Sequence, residues 1–259
     1  MPDEDELIAR LRAAGCVFAE DEARVLRESA RSPEQLDRML VQRVGGIPLE
    51  HIVGWAEFRG LRIAVEPGVF VPRRRTEFLV DRALAVVRPG AVVVDMCCGS
   101  GAIGAALLTA TTVAELHAVE IDPAAVRCAR RNLEPSCVHE GDLFDALPPR
   151  LRGRIDLIVA NAPYVPKVEI AMMPSEARNY EHRIALDGGD DGLDVQRRVV
   201  AAAPEWLAPG GHLLIETSVR QAPVTSALMT TAGFTARTVD DLQLAATVVI
   251  GRSQRAPDV

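Results

Sequence analysis

Aromatic side chains are scarce in this chain of 259 residues: two Trp, two Tyr and six Phe make up 4% of it. Aliphatic residues and alanine must therefore supply the packing, and a hydrophobic fraction of 48% is enough for a sizeable core. Cysteine is sparse as well. Cys16, Cys97, Cys98, Cys128 and Cys137 are odd in number and have no zinc-finger or zinc-ribbon spacing, so they read as the reduced thiols of a cytoplasmic protein. A disulfide between the neighbours Cys97 and Cys98 would strain the backbone and is not expected. No run of about 18 apolar residues occurs, so no membrane-spanning helix is expected. The opening MPDEDEL is acidic and lacks an apolar stretch, so no secretory leader is expected either. Basic charge is in deficit, 29 Lys and Arg against 36 Asp and Glu, for a net charge of −7. That field does not suit an obligate nucleic-acid partner. His51, His117, His139, His182 and His212 lack metal-ligand spacing, and no metal site is expected. Asp187-Gly-Gly-Asp190-Asp191-Gly192 has the composition of a calcium loop but lacks its bidentate Glu, and reads as a turn before a helix.

What is present divides the chain in three. Residues 1–54 read as a small helical domain, 55–75 as a β-hairpin linker, and 76–259 as an α/β domain. Leu7, Ile8 and Leu11 share a helix face, Arg24–Ala30 forms a second amphipathic stretch, and Ser32-Pro33 opens a third helix. Gly45-Gly46 and Pro48 break the pattern. From Trp55 to Val71 the alternation is that of a hairpin, with turns near Arg59-Gly60 and Pro67-Gly68. Beyond residue 76 strands and helices alternate. The strands are Ala91–Met96, Leu116–Ile121, Ile155–Ala160, His212–Glu216 and Thr247–Ile250. The helices are Gly101–Leu108, Pro123–Leu133 and Val195–Leu207, the last stopped by Pro209-Gly210-Gly211. Continuous apolar strands between helices indicate a doubly wound parallel sheet. The closing SQRAPDV reads as a disordered tail.

Two loops carry the chemistry. Gly99-Ser100-Gly101-Ala-Ile-Gly104 is a GxGxxG between a strand and a helix, and Glu120 follows about 20 residues later, at the end of the next strand, placed to accept from both hydroxyls of a ribose. Asp95 precedes this loop at the end of its strand. A carboxylate there repels a pyrophosphate but tolerates S-adenosyl-L-methionine, whose charged groups are an ammonium and a sulfonium, so the pattern favours the methyl donor over NAD. Asp142 and Leu143, after Gly141, are candidates to accept from the adenine amino group and to cover its ring. Asn161-Ala162-Pro163-Tyr164 follows the strand IDLIVA, at the sheet edge where ligands bind. A nitrogen conjugated to a carbonyl or an aryl ring is a poor nucleophile. The Asn161 oxygen and a neighbouring backbone carbonyl, that of Ala162, are suited to hold both its N–H groups and aim its lone pair. Pro163 stiffens the loop and Tyr164 offers a face to a planar group.

With these residues the chain resembles the HemK/PrmC-type protein N5-glutamine methyltransferases, over roughly residues 43–252. The similar segments are GGIPLEHIVGWAEFRG, VEPGVFVPRRRTEFLV, DMCCGSGAI, AVEIDPAAVRCARRN, GDLF, IVANAPYVP, YEHRIALDGGDDGLDVQRRVV and LAPGGHLLIE. The resemblance implies a class I, Rossmann-like methyltransferase fold with a seven-stranded sheet and an N-terminal helical domain that helps receive the substrate. It implies S-adenosyl-L-methionine as cofactor and the glutamine of the Gly-Gly-Gln loop of a peptide-chain release factor as acceptor. By position, Cys97, Cys98, Gly99, Ser100 and Gly101 would hold the methionine part. Glu120 would take the ribose and Leu143 would cover the adenine, with Ile121 and Asp142 as further cofactor-binding candidates. Asn161, Ala162, Pro163 and Tyr164 would hold the glutamine amide. The chain departs from the family at Pro72-Arg73-Arg74-Arg75-Thr76-Glu77, where Pro-Arg-Pro-Glu-Thr-Glu is usual, and at Ala162, where Pro is usual. Arg73–Arg75 reads as a solvated charge run or as a patch for an anionic partner. The rival functions are an adenine-N6 nucleic-acid methyltransferase, a small-molecule N-methyltransferase and a non-catalytic nucleoside-binding module. Together the residues and the resemblance predict a cytoplasmic methyltransferase with a protein substrate and neither membrane nor nucleic-acid partner.

Overall fold

The structure is a computed structural model that describes residues 3–255. Helices α1 (Glu4–Ala13), α2 (Ala19–Ser29) and α3 (Pro33–Val44) come first. Side-chain caps set two of their starts: Asp3 accepts the Glu6 N–H, and Ser32 accepts the Gln35 N–H with Pro33 in the first turn. Leu7 and Leu11, one turn apart, join Ala23, Leu26, Leu36 and Leu40 in an apolar core separate from the sheet, with Ile8 half-buried at its margin. Gly45-Gly46 ends α3, but the chain then makes a short helix that the sequence reading omits, α4 (Leu49–Val53).

Strands β1 (Trp55–Phe58) and β2 (Leu61–Ala64) pair antiparallel. Their turn has positive φ at both Arg59 (52°) and Gly60 (73°), the geometry that suits the twist of a two-residue hairpin. Pro67-Gly68 is also a turn, but no third strand follows it, so the hairpin stops short of Val71. The rest of the chain runs α5 (Glu77–Leu84), β3 (Ala91–Met96), α6 (Ala102–Ala110), β4 (Val113–Glu120), α7 (Pro123–Asn132), β5 (Val138–Glu140), β6 (Ile155–Ala160), α8 (Ser175–Tyr180), α9 (Asp194–Trp206), β7 (Leu207–Thr217), α10 (Ala222–Thr231), β8 (Phe234–Asp241) and β9 (Ala246–Ser253). Seven strands form one sheet in the order β5-β4-β3-β6-β7-β9-β8, parallel except that β9 runs against both its neighbours. Strand β3 is buried along its whole length, as a central parallel strand must be. Its Ala91 and Val93 point into one apolar layer and Val92, Val94 and Met96 into the other.

Several elements differ from the sequence reading: β4 starts at Val113 rather than Leu116 and ends before Ile121, and α5 and α8 go unread. Helix α9 ends at Trp206, and Pro209-Gly210-Gly211 lies inside β7. There the register against β6 jumps from Ile155↔Leu207 to Leu157↔His212, so the extra residues are absorbed as a bulge. Strand β8 and helix α10 go unread because β8 is a polar edge strand and α10 is rich in Thr, Ser and Ala without a strong apolar stripe. Ser253 belongs to β9, and Gln254 donates its backbone N–H to the Gly233 carbonyl; the rest of the expected tail, residues 256–259, lies outside the described residues. No helix among the described residues is long and apolar enough to cross a membrane.

One buried arginine ties the helical core to the sheet domain. Arg43 of α3 donates to Glu22 of α2 (Nε–Oε2, 2.5 Å) and to Glu176 of α8 (Nη1–Oε1, 2.6 Å). Arg43 and Glu22 are nearly withdrawn from water, whereas Glu176 is half-exposed. Truncating the arginine leaves Glu22 buried and unpaired. Arg43→Ala is therefore expected to lower stability by about 2–3 kcal/mol, on the low side for a broken buried pair because one partner is solvated. Thermal unfolding should show this as a Tm lower by roughly 5–10 °C for a chain of this size; an unchanged Tm would show that the pair does not hold the two parts together.

Candidate active site

The strand order turns between β3 and β6, the position at which an open parallel sheet leaves a crevice beyond its carboxyl edge. The loops after β3, β4, β5 and β6 all line one cavity there, closed by Phe58 and Phe70 of the linker side, by Thr76, and by Arg198 of α9.

The loop after β3 is shaped by positive φ at Cys97 (60°), Gly99 (55°) and Gly101 (79°). A Cβ at Gly101 would also crowd the Leu133 side chain just past α7, at 2.8 Å from its Cδ1, so Leu133 would have to shift to admit one. Cys97, Cys98, Gly99 and Ser100 line the cavity, and burial holds both thiols well above their ordinary pKa. Asp95 and Gly101, taken from the sequence as cofactor residues, do not line it. Asp95 is fully buried behind the loop, where its Oδ2 accepts the Gly104 N–H (2.9 Å) in the first turn of α6 and its Oδ1 has no partner among the described residues. Burial pushes its carboxyl up to about 7, against the pull of the Gly104 bond. It is a brace between β3 and α6 rather than a wall of the cavity.

Glu120 does face the cavity. Its Oε2 accepts from Gly99 N–H (2.8 Å), and its Oε1 from Ile121 N–H (2.8 Å) and Asp122 N–H (3.0 Å). Burial raises its pKa, and these three bonds oppose the rise. A carboxylate has roughly four lone-pair sites. Three are committed to backbone, so about one remains for a ligand hydroxyl where the sequence reading assigned two. Ile121 lines the cavity beside it. Asp142 and Leu143 line it too; Asp142 accepts from Arg198 (2.7 Å), and Leu143 takes a positive φ of 50°.

Asn161, Ala162, Pro163 and Tyr164 all reach the cavity. Asn161 donates Nδ2 to Thr76 Oγ1 (3.2 Å), which leaves Oδ1 as the atom able to accept. The Tyr164 carbonyl accepts from Gln221 Nε2 (2.9 Å), which also bonds the Asp191 carbonyl (3.0 Å). Gly192 packs against the same Tyr164 carbonyl so closely that a Cβ would collide with it. The acidic turn 187–192 is thus a buttress for the Asn-Ala-Pro-Tyr loop. Burial, then the nearby Glu216, push the Tyr164 phenol up to about 12, so it stays protonated.

The arginine run is divided: Arg74 and Arg75 are exposed, as a solvated face would be, while Arg73 and Arg75 each reach back to a buried carboxylate. Arg73 pairs with buried Glu181 and lies over the Phe70 ring (5.1 Å); Arg75 lies 3.4 Å from Glu216 Oε1 and over the Tyr164 ring (5.8 Å). Thr76, Arg198, Gln221 and Phe70 escape the sequence reading. Thr76 stands in a segment that the family resemblance covers, but its partner lies 85 positions away and no local pattern announces it.

The charge of the cavity tests which nucleoside it fits. Its ionisable lining sets Glu120, Asp142 and Asp187 against Arg198 and Arg75; Arg198 pairs with Asp142, Arg75 with Glu216 and Asp187 with Arg183, which leaves Glu120 as the lining carboxylate without a cation partner among the described residues. Acceptors without a free cation suit a cationic, hydroxyl-bearing ligand such as S-adenosylmethionine and disfavour a pyrophosphate. Glu120 and Asp142 belong to this lining and Asp95 does not.

Residues 60–176 match the family model described as Methyltransferase small domain. Among solved structures, the chain has the fold of a methyltransferase from Pyrococcus furiosus (TM-score 0.55, 18% identity, 75% of this chain and 90% of that one). It also has that of the T. thermophilus 16S rRNA N2 G1207 methyltransferase in complex with AdoMet and guanosine (TM-score 0.54, 20%, 77% and 49%). Curated relatives are more similar in sequence. The release factor glutamine methyltransferase of Geobacter sulfurreducens is 40% identical over 210 residues, 78% of this chain and 73% of that protein. Its namesake in Streptomyces coelicolor is 42% identical over 69% of this chain and 65% of that protein. The one in Deinococcus radiodurans is 34% identical over 90% and 91%. With an α/β sheet of this topology, a strand-end cavity of this chemistry and identities of this length, the chain belongs to the release factor glutamine methyltransferase family.

Proposed function

We propose that this chain transfers the methyl group of S-adenosylmethionine to the side-chain amide nitrogen of a protein glutamine, the one in the Gly-Gly-Gln loop of a peptide-chain release factor. The observation that carries the reading is the Asn161 amide, turned by its bond to Thr76 so that Oδ1 is the atom available to the cavity. The relatives' names supply the acceptor.

The residues divide the work. When bound, the cofactor supplies a methyl group on a positively charged sulfur. Glu120 and the loop Cys97–Ser100 hold its ribose and methionine portions, and Asp142 and Leu143 its adenine. Asn161 Oδ1 and the Ala162 carbonyl take the two N–H groups of the glutamine amide, so the nitrogen's lone pair is directed along the transfer path. The same two acceptors stabilise the positive charge the nitrogen gains, an electrostatic preference for the transition state. The Tyr164 ring supports the planar amide. The N-terminal helices, with Val17 and Phe18 exposed between α1 and α2, provide the surface that receives the protein partner, and an acceptor of this kind places the reaction in the cytoplasm.

Three outcomes are expected. Incubation with a release factor and the methyl donor should add one methyl group at the Gly-Gly-Gln glutamine by mass spectrometry, and nothing when that glutamine is Glu; label entering only nucleic acid would establish the adenine reading instead. Asn161→Ala should lower the methylation rate by roughly 10²–10³-fold and leave cofactor affinity within a few-fold, the pattern of an interaction made in the transition state. Were cofactor binding to collapse, Asn161 would be a cofactor ligand. Glu120→Ala removes a ligand acceptor and unpins Gly99, so calorimetry should show cofactor binding weakened more than tenfold, about 2 kcal/mol. Wild-type affinity in that variant, or tight NAD binding by the wild type, would sink the cofactor assignment.

A further inference from the structure

Glu216 has no part in the mechanism above, yet it is buried beside the residues that do. Strands β6 and β7 pair in parallel with Ala160 opposite Ile215, so Asn161 and Glu216 stand next to one another just beyond the last pair. Glu216 is 1% exposed and does not line the cavity. Arg75, Thr76 and Tyr164 all do line it. Arg75 Nε is 3.4 Å from Oε1, and the Thr76 and Tyr164 hydroxyls approach the same carboxylate. Neither carboxylate oxygen receives a well-formed hydrogen bond among the described residues. Burial raises its pKa, while Thr76, Arg75 and Tyr164 all favour the ionised form. A buried carboxylate this poorly satisfied costs stability and calls for a function.

The donor arithmetic supplies one. A threonine hydroxyl has one proton and two lone pairs, and an asparagine amide can be turned either way. If the Thr76 proton is free, it can donate to Asn161 Oδ1, and the amide then presents its NH₂ group to the cavity. If the proton is taken, Thr76 can only accept, so Nδ2 must turn to Thr76 and Oδ1 to the cavity. The observed Nδ2–Oγ1 bond is the second arrangement. We propose that Glu216 is a positioning residue: its carboxylate, buried beside the segment that carries Arg75 and Thr76, is the acceptor toward which the Thr76 hydroxyl proton turns, and this fixes Asn161 Oδ1 as the acceptor shown to the substrate nitrogen. Arg75 favours the ionised carboxylate, the form that only accepts, against the burial that opposes it. Where the family has Glu at this position the chain has Arg75, which makes the arginine run a part of the site's electrostatics. The catalytic consequence rests on the role proposed for Asn161; the orientation itself does not.

The test uses Glu216→Gln, Thr76→Val and Thr76→Ser in the full chain. The amide introduced by Glu216→Gln can donate to Thr76 and free its proton, at almost no change in size. Glu216→Gln and Thr76→Val are each expected to lower kcat on a release factor by roughly 10–100-fold, with KM and cofactor Kd within about threefold. Thr76→Ser should restore most of what Thr76→Val loses. The double variant Glu216→Gln/Thr76→Val should be no slower than Thr76→Val alone, because both changes break one relay. Wild-type kcat in Glu216→Gln, or fully additive losses, would overturn the proposal. The second readout needs no acceptor. The Asn161 side-chain amide resonances, assigned by their loss in Asn161→Asp, should move in Glu216→Gln and Thr76→Val and return in Thr76→Ser. Resonances that stay put in Glu216→Gln overturn the relay even if methylation is seen. A wild-type chain that methylates no glutamine defeats the functional reading alone, and the resonances then still decide the relay.

Discussion

Buried carboxylates at the carboxyl edge of the sheet hold this site together. A parallel sheet ends in loops whose backbone N–H groups have no partners in the ladder, and a buried donor left unpaired is costly. Asp95 at the end of β3 answers the Gly104 N–H of the following helix; Glu120 at the end of β4 answers Gly99 from one loop and Ile121 and Asp122 from another. Each carboxylate therefore does for the loops what hydrogen-bonded neighbours do for the strands. The cavity exists because these loops cannot relax away from one another, and its acidic lining follows in part from the same residues.

That dependence explains which parts of the site are legible in the sequence. The central strands and the helices between them can be read almost to the residue, since β3 and β6 are continuous apolar runs and α7 opens on Asp122-Pro123. The loops after β3, β4, β5 and β6 are legible too, because strand ends and glycine spacing are local signals. Direction is what the sequence hides. Asp95 sits two residues before Cys97, yet it lies behind the loop while Cys97, at a positive φ where the strand has ended, lines the cavity. Thr76, Arg198 and Gln221 act at a distance from their partners along the chain, and only the fold brings them there. The bulge at Pro209-Gly210-Gly211 looks like a stop because glycine and proline mark both, and the partner strand alone distinguishes them.

The two departures from the family pattern have physical compensations. Ala162 leaves φ less restricted than proline would, but it is buried, and the loop that carries it is held at Tyr164 by Gln221 and by the close approach of Gly192. Rigidity that a second proline would supply within the loop comes here from the turn packed against it. The arginine run likewise turns inward at Arg73 and Arg75, each against a buried carboxylate and an aromatic ring. These changes alter how the Asn-Ala-Pro-Tyr loop is braced and leave Asn161 and Ala162 lining the cavity.

The central claim is geometric: two oxygens, Asn161 Oδ1 and the Ala162 carbonyl, hold the glutamine amide at the mouth of the methyl-donor cavity. A crystal structure of the chain with the demethylated cofactor and a peptide containing Gly-Gly-Gln tests it most directly. The account predicts the glutamine nitrogen about 2.9 Å from both oxygens, a normal hydrogen-bond distance, with Asn161 Nδ2 still on Thr76. A glutamine side chain held elsewhere, or an Asn161 amide turned to present its nitrogen to the peptide, would contradict it.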